Sequence, residues 1–180
     1  DTLEGGDGND VMNGGDQPDS IIGGDGDDSM SGDVAEDTLN GGDGNDVMSG
    51  GDQADSIIGG DGDDTISGDE SSDRLDGEGG FNTLSYANNT GKVRVALYED
   101  TASGGGDNVQ EYGADGSSDA NTVVSQDHAL NFDGVLGSAY DDTITGNGSD
   151  NVLQGNAGDD TLTGNGGDDT FVLAKGDGSD

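Results

Sequence analysis

Cysteine and tryptophan are absent from this chain, proline occurs once, and only four of its 180 residues are lysine or arginine. Each shortage excludes something. Without cysteine there are no disulfide staples and no thiolate metal sites, and the redox compartment stays open. Four basic residues against 41 acidic ones give a formal charge of −37, which nucleic-acid phosphates would repel, as would an anionic membrane surface. No apolar run approaches the ~20 residues that span a bilayer, and no leader pattern is visible. The chain opens and stops in mid-repeat, which reads as a piece of something longer. Hydrophobic residues make up 27% of the chain, too few for a core of amphipathic helices, and low hydrophobicity with high net charge is the composition of disorder. Two readings survive: a solvated acidic tail, or a fold completed by something of opposite charge.

What is abundant is glycine and aspartate, and both are in phase. From Gly5 the sequence divides into nine-residue units: GGDGNDVMN, GGDQPDSII, GGDGDDSMS, GDVAEDTLN, GGDGNDVMS, GGDQADSII, GGDGDDTIS and GDESSDRLD, with GEGGFNTLS at Gly77 as a frayed copy. A second array starts at Gly137 with GSAYDDTIT, GNGSDNVLQ, GNAGDDTLT and GNGGDDTFV. Acidic tails do not keep phase like this, and repeats of fixed period signal a solenoid. Positions one to six of the unit are residues that tolerate tight and left-handed turns. Positions seven to nine predict a short strand with its apolar residue at position eight: Met12, Ile21, Met30, Leu39, Met48, Ile57, Ile66, Leu75 and Leu84, then Ile144, Leu153, Leu162 and Phe171. The expected fold is all-β, a parallel β-roll in which two units make a coil and coils stack about 4.8 Å apart. No helical periodicity or capping box appears.

Residues 41–76 nearly duplicate residues 5–40, so the two turn edges of the roll should differ. The odd edge (turns at Gly5, Gly23, Gly41 and Gly59) keeps every glycine. The even edge carries Gln17 and Gln53 at position four and Asp33 and Asp69 at position two. The expected organisation is a first array over 1–85, a non-repeat β segment over 86–136, and a second array with a terminal cap over 137–180. Within the middle segment, Val93, Val95 and Leu97 alternate with Arg94 and Ala96 as in a strand. Residues 108–112 and 129–132 are weaker strand candidates, and residues 104–106 and 115–121 read as loops.

Position six is a carboxylate in nearly every unit: Asp10, Asp19, Asp28, Asp37, Asp46, Asp55, Asp64, Asp73, Asp142, Asp160 and Asp169. Stacked coils put these in columns, and like charges at about 5 Å repel by several kcal/mol at intermediate dielectric. A hard divalent cation between successive turns reverses that sign. Calcium takes six to eight oxygen ligands and accepts carbonyls beside carboxylates, whereas magnesium demands a tighter octahedron. Zinc wants His or Cys, and the chain has only His128.

The units resemble Gly-Gly-x-Gly-x-Asp-x-apolar-x, the RTX (repeats-in-toxin, haemolysin-type) calcium-binding nonapeptide. The resemblance covers residues 1–85 and 137–172, and residues 169–173 with 176–180 are similar to the close of such arrays. It implies several calcium ions held between turns two units apart, by turn carbonyls and the sixth-position Asp of both turns. Carried onto this chain, the implied metal set on the odd edge is Gly5, Gly6, Asp7, Gly8 and Asp10, with Gly23, Gly24, Asp25, Gly26 and Asp28. It continues through Gly41, Gly42, Asp43, Gly44 and Asp46, and Gly59, Gly60, Asp61, Gly62 and Asp64. The even edge adds Asp19, Asp37, Asp55 and Asp73. The second array adds Asp142, Gly155, Asn156, Ala157, Gly158, Asp160, Gly164, Asn165, Gly166, Gly167 and Asp169. Asn82 and Asn151 depart from the pattern at position six. On the even edge, missing glycines predict sites that are empty, fewer-liganded or differently built, the last by recruiting Asp33 and Asp69.

The resemblance also implies a structural module of a secreted or cell-surface bacterial protein, exported by a type I system and folding on calcium outside the cell. A different class of reading makes it an accessory module of an extracellular protease, lipase or polysaccharide epimerase, with glycan or neighbouring domains as partners. No GxSxG, HExxH, GxGxxG or P-loop is present, so no catalytic residue is assigned. His128 reads as structural, and Arg74, Lys92, Arg94 and Lys175 as local ion pairs. Val11, Ile22, Val47 and Ile58 read as scattered surface apolars.

Overall fold

The computed structural model describes residues 1–97, 107–112 and 123–173. Lys175, residues 176–180 and the loops expected at 104–106 and 115–121 lie outside them. Among the described residues all regular structure is β. In the first array the chain makes β1 (Thr2–Asp7), β2 (Val11–Gly15), β3 (Ser20–Asp25), β4 (Ser29–Val34) and β5 (Thr38–Asp43). It continues through β6 (Val47–Asp52), β7 (Ser56–Asp61), β8 (Thr65–Asp69), β9 (Arg74–Gly79) and β10 (Thr83–Ser85). Strands alternate between two sheets, one running β1-β3-β5-β7-β9 and the other β10-β8-β6-β4-β2. Every neighbour within these runs is parallel, and Thr2 pairs with Ser20, Ser20 with Thr38, Thr38 with Ser56 and Ser56 with Arg74. Two units therefore make one coil, as the period predicts.

Position eight faces inward from both sheets. Ile21, Leu39, Ile57, Ile66, Leu75 and Leu84 are fully buried, and with Met12, Met30 and Met48 they form one apolar column that continues to Ile144 and Leu153. Burying each such side chain is worth about 1.5–3 kcal/mol. With one per nine residues, the coils depend heavily on what their turns contribute. Leu162 is only partly buried and Phe171, on the outermost strand, is exposed.

The strands of the first array are longer than the three residues expected. β1 to β9 run five or six residues, through positions seven to nine and on into position two or three of the next unit, while β10 has three. The pairing skips one place: Glu4 pairs with Ile22 and Gly6 with Gly24, but Gly5 and Gly23 do not pair. The same step over position one recurs along both sheets.

The middle segment enters one sheet only. β11 (Lys92–Ala96), β12 (Asp107–Tyr112) and β13 (Val123–Leu130) form an antiparallel meander lodged between β9 and β15 (Thr143–Thr145), with β13 parallel to β9 and β11 parallel to β15. The opposite sheet continues without interruption from β10 to β14 (Gly134–Leu136), β16 (Val152–Gln154) and β18 (Thr170–Val172). β17 (Thr161–Thr163) closes the first sheet. Val93, Val95 and Leu97 are buried, as their alternation predicts. The strand expected over 129–132 instead spans Val123–Leu130 and leaves buried Phe132 in the turn that follows.

Candidate metal centre

The sixth-position carboxylates sit in two columns, one per edge, and nearly all are buried. In Asp28, Asp37, Asp46, Asp55, Asp64 and Asp73, one oxygen accepts a hydrogen bond from the main-chain N–H of the residue 18 earlier. Asp10 N–H donates to Asp28 Oδ1 at 2.8 Å, Asp28 to Asp46 at 2.8 Å, and Asp46 to Asp64 at 2.9 Å. On the even edge Asp19 donates to Asp37, and Asp37 to Asp55, both at 2.8 Å. The amino group of Asp1 forms an ion pair with Asp19, at 2.6 Å.

The second oxygen is different. Oδ2 of Asp10, Asp19, Asp28, Asp37, Asp46, Asp55 and Asp64 is buried with no hydrogen-bond partner among the described residues. What faces it is the main-chain oxygen of position one in the next coil. A Cβ added to Gly23 would fall 2.2 Å from Asp28 Oδ2 and 2.4 Å from Gly41 O; on Gly41 it would meet Asp46 Oδ2 at 2.1 Å and Gly59 O at 2.4 Å. The even edge repeats the arrangement, with Asp37 Oδ2 at 2.4 Å and Gly50 O at 2.6 Å from a Cβ on Gly32. Position one is therefore glycine because a side chain there would occupy the space in which two acceptors converge. It is also the place that the Cα pairing of the sheet ladder steps over.

Two buried acceptors facing each other are costly unless a positive group lies between them. The electrostatics agree. Burial pushes the Asp55 carboxyl up to about 7, and the like charges of Asp37 and Asp69 add to that against one lowering main-chain hydrogen bond. Asp64 is pushed up to about 6 in the same way, and Asp37 and Asp46 are also raised by burial. These carboxylates are poised to take a proton or a cation. Among the described residues no three acidic or histidine side chains come together, so the donors are one carboxylate with main-chain oxygens, a set suited to a hard cation of flexible coordination such as calcium.

A family model describing the RTX calcium-binding nonapeptide repeat matches residues 1–21, 14–48, 22–57, 49–84, 136–171 and 145–180. The chain belongs to this family. Its repeats bind multiple calcium ions, and the family is structural rather than catalytic. No curated protein matches the chain.

Several details of this RTX roll are not written in its repeat. Asp7, Asp25, Asp43 and Asp61, at position three, have exposed side chains. The carbonyls of Asp25, Asp43 and Asp61 accept from Gly8, Gly26 and Gly44 N–H at 2.6–2.8 Å. Position five forms a second ladder on the odd edge, running opposite to the first: Asp27 N–H donates to Asn9 Oδ1, Asn45 to Asp27, Asp63 to Asn45 and Phe81 to Asp63, at 2.8–3.1 Å. Its signal was the Asn/Asp alternation at Asn9, Asp27, Asn45 and Asp63, against Pro18, Glu36, Ala54 and Ser72 on the even edge.

The even edge does keep the left-handed turn despite its side chains. Asp33 and Asp69 (φ 70° and 69°) stand in for the second glycine, and Ala35, Gln53 and Ser71 (φ 98°, 78° and 89°) for the fourth-position one. Asp33 and Asp69 are not turned into the centres: Asp33 accepts from Ser31 at 2.5 Å, and Asp69 accepts from Ser67 at 2.7 Å and from Ser49. In the second array Asn156 and Asn165, at position two, donate their amides to Gly137 O and Gly146 O at 2.5 and 2.6 Å. Gly155 and Gly164 lie against the carboxylates of Asp160 and Asp169, Gly158 and Gly167 are left-handed, Gly166 lies against Gly148, and Ala157 is exposed.

Proposed function

We propose that this chain is a calcium-dependent structural module of a secreted or cell-surface bacterial protein, disordered in low calcium and folding once it meets calcium outside the cell. The observation that carries the reading is the repeated pair of buried acceptors, a position-six Oδ2 against a position-one carbonyl. In the first array the proposed centres are Asp10 with Gly23, Asp28 with Gly41, Asp46 with Gly59 and Asp64 with Gly77 on the odd edge. On the even edge they are Asp19 with Gly32, Asp37 with Gly50 and Asp55 with Gly68. Calcium supplies the positive charge that lets these columns be buried, so its binding free energy becomes folding free energy. The net charge of −37 opposes compaction until the ions neutralise part of it. No catalytic role is assigned to the chain; its repeats serve as a scaffold for whatever the parent protein carries.

Circular dichroism of the chain with chelator and then with calcium at about 0.1–1 mM, the range of extracellular calcium modules, tests this. The expected result is a β spectrum that appears only with calcium. A β spectrum indifferent to chelator would overturn the proposal.

A further inference from the structure

At Asn82 the same position in the coil is filled by the protein's own donor. A Cβ on Gly77 would fall 2.6 Å from Asn82 Nδ2 and 2.5 Å from Asn131 O, so a nitrogen stands where the first array has Oδ2. Asp64 N–H donates to Asn82 Oδ1 at 3.0 Å, which fixes the orientation of the amide, and Nδ2 donates to Asn131 O at 3.2 Å. Two coils further along the same edge Asn151 is turned the other way: Nδ2 donates to Asp133 O at 3.2 Å, and Oδ1, which accepts from Asn147 N–H at 2.9 Å, lies towards Gly146 and the carbonyl of Gly164.

On the other edge the carboxylates remain but are answered. Asp127 continues the column: Oδ1 accepts from Asp73 N–H at 3.0 Å and Oδ2 from the buried Tyr86 hydroxyl at 2.8 Å. Asp142 accepts from Val93 N–H at 2.7 Å, and its Oδ2 takes Ser138 N–H at 2.6 Å and Ser138 Oγ at 3.0 Å. Each of these contacts gives a buried carboxylate oxygen a donor, the arrangement buried polar groups require.

We infer that Asn82, Tyr86 and Ser138 replace calcium where the two arrays meet, so that the calcium columns of the first array are interrupted there and the junction holds without the metal. This rests on calcium being the cation of the first array. The chelated chain is then half folded. The coils of residues 1–77 open, while β10, β11, β13, β14 and β16 stay together around Leu84, Tyr86, Val93, Val95, Ala129, Phe132, Val135 and Leu153, all buried. The retained part offers a template on which the first array winds when calcium arrives.

Hydrogen exchange on the whole chain, with calcium and with excess chelator, tests the division. In chelator, amides of residues 1–77 are expected to exchange as in an unfolded chain. Those of residues 83–96 and 128–154 should keep at least about tenfold protection, the mark of a separately stable unit. Protection lost evenly along the chain would overturn the inference while leaving calcium-dependent folding intact. Protection unchanged everywhere, with no calcium bound, would instead overturn the calcium reading beneath it. A second variant isolates the donor: Asn82→Asp removes the amide and restores two facing acceptors. Native mass spectrometry should then count one more calcium ion than in the parent chain, and chelator should strip protection from β10 and β14. An unchanged ion count with protection retained would overturn the role given to Asn82.

Discussion

Asp28 and Asn82 occupy the same place in coils of the same edge and differ by one atom. Both accept a hydrogen bond from the main-chain N–H of the coil before, at 2.8 and 3.0 Å. Asp28 turns its other oxygen towards the carbonyl of Gly41, whereas Asn82 offers an N–H to the carbonyl of Asn131. The first arrangement cannot be buried without a positive partner; the second needs none. The two regions therefore reach one coil geometry by different chemistry. The ladder of N–H to Oδ1 contacts sets the spacing in both, and only the second side-chain atom decides whether a metal is required. Strand length follows the same division, with five or six residues per strand over most of the first array and three per strand in the second.

The largest expected test of that comparison uses protons in place of calcium. Burial raises the carboxyls of Asp37, Asp46, Asp55 and Asp64, the last two to about 6–7. Because the folded state binds protons more readily than the unfolded one, its stability is greatest below the unfolded carboxylate range and is lost as pH rises through about 6–7. Metal-free chain in chelator should accordingly gain β structure as pH falls from about 8 to about 5. Over the same range calcium affinity should fall, since protons and calcium compete for the same oxygens. Hydrogen exchange in chelator should place the gain in residues 1–77. A loss of β structure on acidification would break the argument that unneutralised carboxylates hold the first array open.

A smaller and more local effect comes from making Asp28 resemble Asn82. Asp28→Asn should lose one calcium ion yet keep the contact with Asp10 N–H, and its amide should reach Gly41 O. Asp28→Ala should lose the same ion and both contacts, leaving a buried N–H and a carbonyl without partners, at a cost of about 1–3 kcal/mol beyond the Asn variant. In calcium, the denaturation midpoints should rank parent, Asn, Ala; in chelator, the Asn variant should be more protected than the parent around Gly23 and Gly41. Equal losses for the two substitutions would mean that the amide is no substitute for the ion.

How far the sequence carried can be judged on particular residues. The phase of Gly, Asp and the apolar position places Ile21, Leu39 and Ile57 in the core and the position-six carboxylates in columns, because repetition of 18 residues per coil fixes who stacks on whom. The same logic failed where phase is broken. The turn of Asn131, Phe132 and Asp133 is three residues shorter than its counterparts, so Asp133 and Asp127 could not be aligned with the columns they continue. Tyr86 and Asp127 lie 41 residues apart, and no periodicity links them. Nor did the repeat reveal that the pairing steps over position one, since local propensity does not report the register of a parallel sheet. On the even edge the loss of glycine was expected to remake the turn. Instead tertiary pairing with the coils above and below holds Asp33, Ala35, Gln53, Asp69 and Ser71 left-handed.

The smallest expected effect lies in that strained edge, where two glutamines at the same unit position sit in different backbones. Gln53 precedes Ala54 and is held at φ 78°, while Gln17 precedes Pro18 and is not in the left-handed region. A residue before proline is pushed towards extended backbone, which accounts for the difference. A left-handed conformation costs a non-glycine residue roughly 1–2 kcal/mol, and glycine surrenders about 0.4–1 kcal/mol of extra chain entropy on folding. Gln53→Gly should therefore gain up to about 1 kcal/mol, seen as a thermal midpoint a few degrees higher in saturating calcium, with the ion count unchanged. Gln17→Gly relieves no strain and pays only the entropy, so its midpoint should fall slightly. If both substitutions shift the midpoint in the same direction, strain at position four does not distinguish these turns. If Gln53→Gly instead raises the number of ions bound, the glutamine side chain rather than its backbone limits the even edge.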